Sequence, residues 1–226
     1  MNSSPRILLL YTGGTIGMRR DPDTGYLITF NFDNLLQQIP ELAMLNCNID
    51  TDSLDEPIDS SNMKPEHWVR LAKRIHNDYK KYDGFVILHG SDTMAYTASA
   101  LSFLLENLAK PVILTGSQLP IGIPRSDAKE NLITTVEVAA AQNPDGTAKV
   151  PEVCVYFEYK LYRGNRTHKI STEAFEAFDS LNYPALAEAG VYLRYNTLMV
   201  NYPNGKELKL HTSLDKRIGV ATLFPG

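Results

Sequence analysis

The chain has 226 residues and a mass of 25.3 kDa, room for one large domain or two small ones with a core that needs no staple. Its 22 Lys and Arg against 26 Asp and Glu give a net charge of −4 with no basic run, which argues against a nucleic-acid partner. Hydrophobic residues make up 43% and charged ones 21%, the balance of a soluble globular protein, and no stretch approaches the ~18 consecutive apolar residues of a membrane span.

The start, Met1 to Pro5, carries no positive segment, and the apolar run Ile7-Leu8-Leu9-Leu10 is too short for a signal peptide, so a cytoplasmic location is expected. Arg6-Ile7-Leu8-Leu9-Leu10-Tyr11 reads as a buried first strand ended by Thr12-Gly13-Gly14. Trp68, Leu71, Ala72, Ile75 and Tyr79 fall at helical spacing, with Pro65 and Glu66 suited to a first turn. Strand Phe85-Val86-Ile87-Leu88, a helix over 93–106, strand Pro111-Val112-Ile113-Leu114, a helix over 127–142 and strand Val153-Cys154-Val155-Tyr156-Phe157 follow. Strands alternating with helices predict an α/β fold: a largely parallel, doubly wound sheet with flanking helices.

Beyond Ala189-Gly190 the pattern loosens into Val191-Tyr192-Leu193 and Leu198-Met199-Val200, which read as antiparallel or edge elements near the C-terminal end. The expected organisation is an α/β domain over 1–200, a polar linker over 201–217 and a new buried strand over 218–226. Cys47 and Cys154 stand far apart, and the five histidines (His67, His76, His89, His168 and His211) are scattered, so no metal or other cofactor is implied.

Ligands of a doubly wound sheet bind beyond the carboxyl ends of its strands. Three polar clusters occupy such places. Tyr11-Thr12-Gly13-Gly14-Thr15-Ile16-Gly17 offers two hydroxyls and a backbone a ligand can approach, although a glycine turn after a strand is also only a turn. It lacks the Lys of a phosphate-binding loop, which disfavours a nucleotide site. His89-Gly90-Ser91-Asp92-Thr93-Met94 puts hydroxyls and a carboxylate at the mouth of a helix, where Ser91 or Asp92 is equally suited to be a plain N-cap. The third, residues 161–169 with Arg163, Arg166 and Lys169, reads by itself as a solvated basic loop.

Together these segments resemble the L-asparaginase family. Thr12-Gly13-Gly14-Thr15-Ile16 is similar to its first signature, and His89-Gly90-Ser91-Asp92-Thr93-Met94 to its second, with Ser91 where Thr is usual. Asp59-Ser60-Ser61, Thr115-Gly116-Ser117-Gln118, Arg125-Ser126-Asp127 through Asn131-Leu132, and Arg163-Gly164-Asn165-Arg166-Thr167 with Lys169 match further on, in the family's order. The arginine-rich segment and the missing signal peptide look closest to the type I, cytoplasmic branch. The related amidotransferase subunit carries an extra segment before the first strand, and here that strand begins at Arg6.

The resemblance implies hydrolysis of L-asparagine to L-aspartate and ammonia, with glutamine as the rival substrate. It implies Thr15 as nucleophile, with Ser91 the alternative, Tyr26 as a lid residue touching that hydroxyl, and Ser91, Asp92 and Lys169 as a second, triad-like set. Backbone N–H groups near Thr15 and Ser91 would receive the oxyanion. Ser60 and the Ser61 backbone would hold the substrate carboxylate, Asp92 its ammonium, and Ser117 would lie near the departing nitrogen. Family members carry a second, smaller α/β domain that completes a neighbouring subunit's site in a homodimer or homotetramer. This chain resembles the N-terminal domain plus linker, so a non-catalytic amino-acid-binding fragment is the competing reading.

Overall fold

The computed structural model describes residues 4–21, 23–25, 27–29 and 39–224. Five strands form the parallel part of the main sheet: β1 (Arg6–Tyr11), β2 (Asn48–Ser53), β3 (Gly84–Leu88), β4 (Val112–Thr115) and β5 (Val153–Phe157). β6 (Lys160–Arg163), β7 (Ala187–Ala189) and β8 (Leu193–Tyr195) continue it antiparallel, giving the order β8-β7-β6-β5-β4-β3-β1-β2. Helices α1 (Pro65–Asp78), α2 (Met94–Leu104) and α3 (Ala128–Ala140) link β2 to β3, β3 to β4 and β4 to β5.

Side chains alternate across the pleat, so each strand feeds two cores. Leu8, Leu10, Phe85, Ile87 and Leu114 pack beneath α1 and α2 through Leu71, Ile75, Ala98 and Leu101. Ile7, Leu9, Val86, Ile113 and Tyr156 point the other way and meet Leu132 and Val136 of α3. Both faces are covered along β1, β3, β4 and β5, which is why these four read as apolar runs, whereas β2 at the edge is polar. Leu101 is fully buried, and its truncation to Ala is expected to cost about 2–5 kcal/mol.

The parallel strands run 2-1-3-4-5, so the chain reverses direction across the sheet between β1 and β3, the switch point where such folds open a crevice. Register sharpens this. Tyr11 is level with Ser53 and with Leu88, and Leu88 with Thr115, so four strands end in one row and release four loops side by side.

The expected elements form with three differences. The helix predicted over 93–106 ends at Leu104, because Leu105–Glu106 pairs antiparallel with Lys209–Leu210 and Asn107 turns into the left-handed region at φ 62°. The antiparallel piece expected at 191–193 lies at Leu193–Tyr195, and the piece expected at 198–200 forms no strand, with residues 197–199 in a turn. That segment is held by Arg163, which donates to both Glu152 oxygens and to the Met199 carbonyl and stacks over Tyr183 at 4.3 Å.

Of the strand expected over 218–226, residues 218–224 form none and pair with no strand among the described residues. Ile218, Val220, Leu223 and Phe224 are instead 77–95% exposed. Arg163 is thus a structural ion-pair residue rather than part of a solvated loop.

Candidate active site

The first loop is pressed into place by backbone contact. Gly13 and Gly14 adopt φ 130° and 93°, where a side chain would be strained. A Cβ on Gly13 would stand 2.1 Å from the Ile58 carbonyl oxygen, and one on Gly14 2.5 Å from the Gly90 nitrogen. Only glycine therefore lets the β1 loop touch both the segment after β2 and the loop after β3. The Thr12 N–H and hydroxyl both donate to the Leu88 carbonyl, at 3.0 and 2.8 Å, and Ile58 N donates to the Thr12 carbonyl. Thr15 then opens a single 3-10 turn, Thr15–Gly17, braced from below by Tyr11, whose hydroxyl donates to the Gly14 carbonyl. Burial raises the Tyr11 pKa to about 12, so it stays a neutral strut. The Thr15 side chain is half-buried and has no hydrogen-bond partner among the described residues.

The segment after β2 brings Ser60 to the same place. A Cβ on Gly90 would meet the Ser60 hydroxyl at 2.5 Å, and the Ser60 carbonyl accepts from the Thr93 hydroxyl at 2.7 Å. Ser61 is committed otherwise: its N–H and hydroxyl both donate to Asp59 Oδ1, at 2.9 and 2.8 Å. The Ser61 backbone donor expected to meet a carboxylate is thus already taken by the turn that Asp59 caps.

Beyond β3, Lys169 reaches across from the short strand His168–Lys169, which pairs antiparallel with Phe178–Asp179. Its Nζ donates to Ser91 Oγ at 2.9 Å and to Asp92 Oδ1 at 2.7 Å, with the lysine side chain 14% and Asp92 59% exposed. Ser91 Oγ donates in turn to Gln118 Oε1 at 3.3 Å, and Gln118 is oriented by its Nε2 donating to the Ala174 carbonyl at 2.9 Å. The loop after β4 is fixed by buried Asp127, which accepts from the N–H groups of Gln118 and Leu119 and from Asn131 Nδ2. Burial raises the Asp127 pKa despite these donors. Ser117 is buried and donates to the Leu119 carbonyl at 2.6 Å. Beside Asp92 and Lys169 opens a cavity of about 740 Å³, lined further by Tyr96, Asn165, His168 and Thr172.

Thr15, Ser60, Ser91, Asp92 and Lys169 therefore gather at the switch point, Ser117 is buried in the adjoining loop after β4, and Tyr26 lies outside the described residues. Sequence reasoning missed Gln118 as the partner of Ser91 and Thr93 as the tie to Ser60, although both belong to the motifs quoted above. Among the described residues no three His, Cys, Asp or Glu side chains cluster as metal ligands, and no helix is long and apolar enough to cross a membrane.

Fold and site define an α/β domain with hydroxyl-bearing loops gathered at its switch point beside a lysine–carboxylate pair. Residues 6–200 match the family model described as asparaginase, N-terminal, and the chain belongs to that family. It is 46% identical over 223 residues to L-asparaginase 1 of Escherichia coli (strain K12), covering 97% of this chain and 64% of that protein. The 60 kDa lysophospholipase of Mus musculus is 39% identical over 251 residues, 100% of this chain and 43% of that protein. Among solved structures, L-asparaginase I from Vibrio cholerae superposes with a TM-score of 0.86 at 42% identity, covering 98% of this chain and 65% of that one. The chain thus spans 64% of the length of the Escherichia coli relative.

Proposed function

We propose that this chain carries the site of an amidohydrolase converting L-asparagine to L-aspartate and ammonia. The observation that carries the reading is the meeting of the Thr15 turn, Ser60, and the Ser91–Lys169–Asp92 set at one row of strand ends, in a chain of the asparaginase family.

In the reaction, Thr15 Oγ1 adds to the side-chain carbonyl carbon of asparagine and gives up its proton, a step in which the family resemblance implies Tyr26. The oxyanion that forms is received by backbone N–H groups near Thr15 and Ser91. The C–N bond then breaks, the nitrogen takes up the proton and leaves as ammonia, and an aspartyl ester remains on Thr15. Water adds to that ester, the C–O bond to Thr15 breaks, and aspartate departs with the threonine hydroxyl restored. Lys169 and Asp92 manage the proton at Ser91 Oγ. Ser60, with Ser61 beside it, faces the substrate carboxylate, and the exposed Asp92 carboxylate its ammonium. Ser117 stands behind the departing nitrogen.

Residues 1–200 are the catalytic domain in this reading and 201–217 the linker. Residues 218–226 begin the part that corresponds to the remainder of the longer relatives. A cytoplasmic homodimer or homotetramer completes the account. The test is ammonia release from L-asparagine beside calorimetric binding, in the chain continued by the C-terminal third of the Escherichia coli relative. Ammonia release is expected, and binding without any would make this an amino-acid-binding module.

A further inference from the structure

Behind Ser91 lies a buried chain of hydrogen bonds that the mechanism above does not use. His89 is 1% exposed; its Nδ1 stands 2.7 Å from the Gly90 carbonyl oxygen, and its Nε2 2.9 Å from the Thr97 hydroxyl. Thr97 is fully buried on α2 and accepts from Trp68 Nε1 of α1 at 3.0 Å. The proton positions follow from what each partner can do. A carbonyl only accepts, so Nδ1 carries the hydrogen and Nε2 is bare. The indole only donates, which leaves the Thr97 proton free to point at Nε2. Every donor in the chain thus meets an acceptor, and burial holds the ring neutral by pulling its pKa down to about 4.

The ring's bond falls on the peptide that joins Gly90 to Ser91. A trans peptide is flat, with C=O and N–H pointing in opposite directions. Turning the Gly90 carbonyl inward to the imidazole therefore turns the Ser91 N–H outward. That N–H has no hydrogen-bond partner among the described residues. The rest of the neighbourhood is equally tight: His89 N donates to the Thr115 carbonyl at 2.9 Å, and a Cβ on Gly116 would lie 2.4 Å from the His89 carbonyl oxygen.

We infer that His89 is a positioning residue: its Nδ1–H, held in that tautomer by Thr97 and Trp68, sets the plane of the Gly90–Ser91 peptide and aims the Ser91 N–H at the substrate oxyanion. This deepens the reading above and rests on it only where turnover is concerned.

The tautomer is read directly in the wild-type chain by ring ¹⁵N shifts. A protonated Nδ1 with a bare Nε2 is expected from pH 6 to 9, and an Nε2–H ring would overturn the inference. Two variants read the consequence. His89→Asn puts an amide N–H where Nδ1–H stood, and His89→Gln removes the donor from that position. The Ser91 amide proton is expected to keep its shift in His89→Asn and to move in His89→Gln; the same shift in wild type and both folded variants would overturn the role.

In the continued chain, His89→Gln is expected to lower kcat about 30-fold with KM within about twofold, short of the roughly 10²–10³ for deleting an oxyanion donor outright. His89→Asn should stay within about threefold of wild type. Equal losses in both variants would mean that the ring only fills space. A wild-type continued chain that releases no ammonia counts against the functional reading, and the Ser91 amide shift then decides the positioning role by itself.

Discussion

Lys169 Nζ lies 2.9 Å from Ser91 Oγ although 78 residues separate the two in the chain. The contact joins the short strand His168–Lys169 beyond β6 to the mouth of α2, and the same ammonium is tied to Asp92 at 2.7 Å. Ser91 is thereby held between a cation and the Gln118 amide oxygen, a setting in which its proton has a defined direction.

Replacing Lys169 by Met keeps about the volume of the side chain and removes the ammonium. Ammonia release by the continued chain is expected to fall by about 100-fold or more in kcat. A change confined to KM would mark Lys169 as a binding residue and end its part in the proton relay.

The buried His89 makes a second, independent statement about stability. Its folded pKa is about 4, below the ordinary value of 6.5. As pH falls from about 6.5 towards 4, the unfolded chain takes up this proton while the fold refuses it, so stability drains across that window. His89→Asn lacks the proton site. The stability of wild type relative to this variant, from urea unfolding, should fall by about 2 to 3 kcal/mol between pH 7.5 and 4.5. A constant difference would show that the imidazole is not held neutral.

How far these groups could be read from the chain depends on what fixes each one. β1, β5 and α1 are legible because burial on one or both faces imposes an apolar pattern on their own residues. β2 is not. Its sequence, Asn48–Ser53, is polar, and its place comes from β1 alone, whose backbone it pairs along one edge. The end of α2 is set by Lys209–Leu210, about a hundred residues on, against the helix preference of Leu105 and Glu106.

The site follows the same rule. Gly13, Gly14 and Ser91 announce themselves in local motifs. The inward turn of the Ser61 donor and the role of Gln118 depend instead on Asp59 and on the Ala174 carbonyl, which no short pattern connects to them.

The exposed row Ile218, Val220, Leu223 and Phe224 carries a prediction about the remaining third of the relatives. The 226-residue chain is expected to fold and to bind an apolar dye at this row, with turnover weak or absent. Continuing it with the C-terminal third of the Escherichia coli relative should lower dye binding and restore ammonia release. Equal specific activity in the two forms would mean that residues 1–226 hold a complete site.

The central claim rests on Thr15, and one comparison tests it: ammonia released from L-asparagine by the continued chain, wild type against Thr15→Ala. A hydroxyl without hydrogen-bond partners among the described residues adds little to stability, so the variant should melt within about 2 °C of wild type and show the same circular dichroism. Its turnover is expected to fall by about 10³ or more, since the covalent route is gone. A folded Thr15→Ala chain that releases ammonia at near the wild-type rate would contradict the account and move the nucleophile to Ser91.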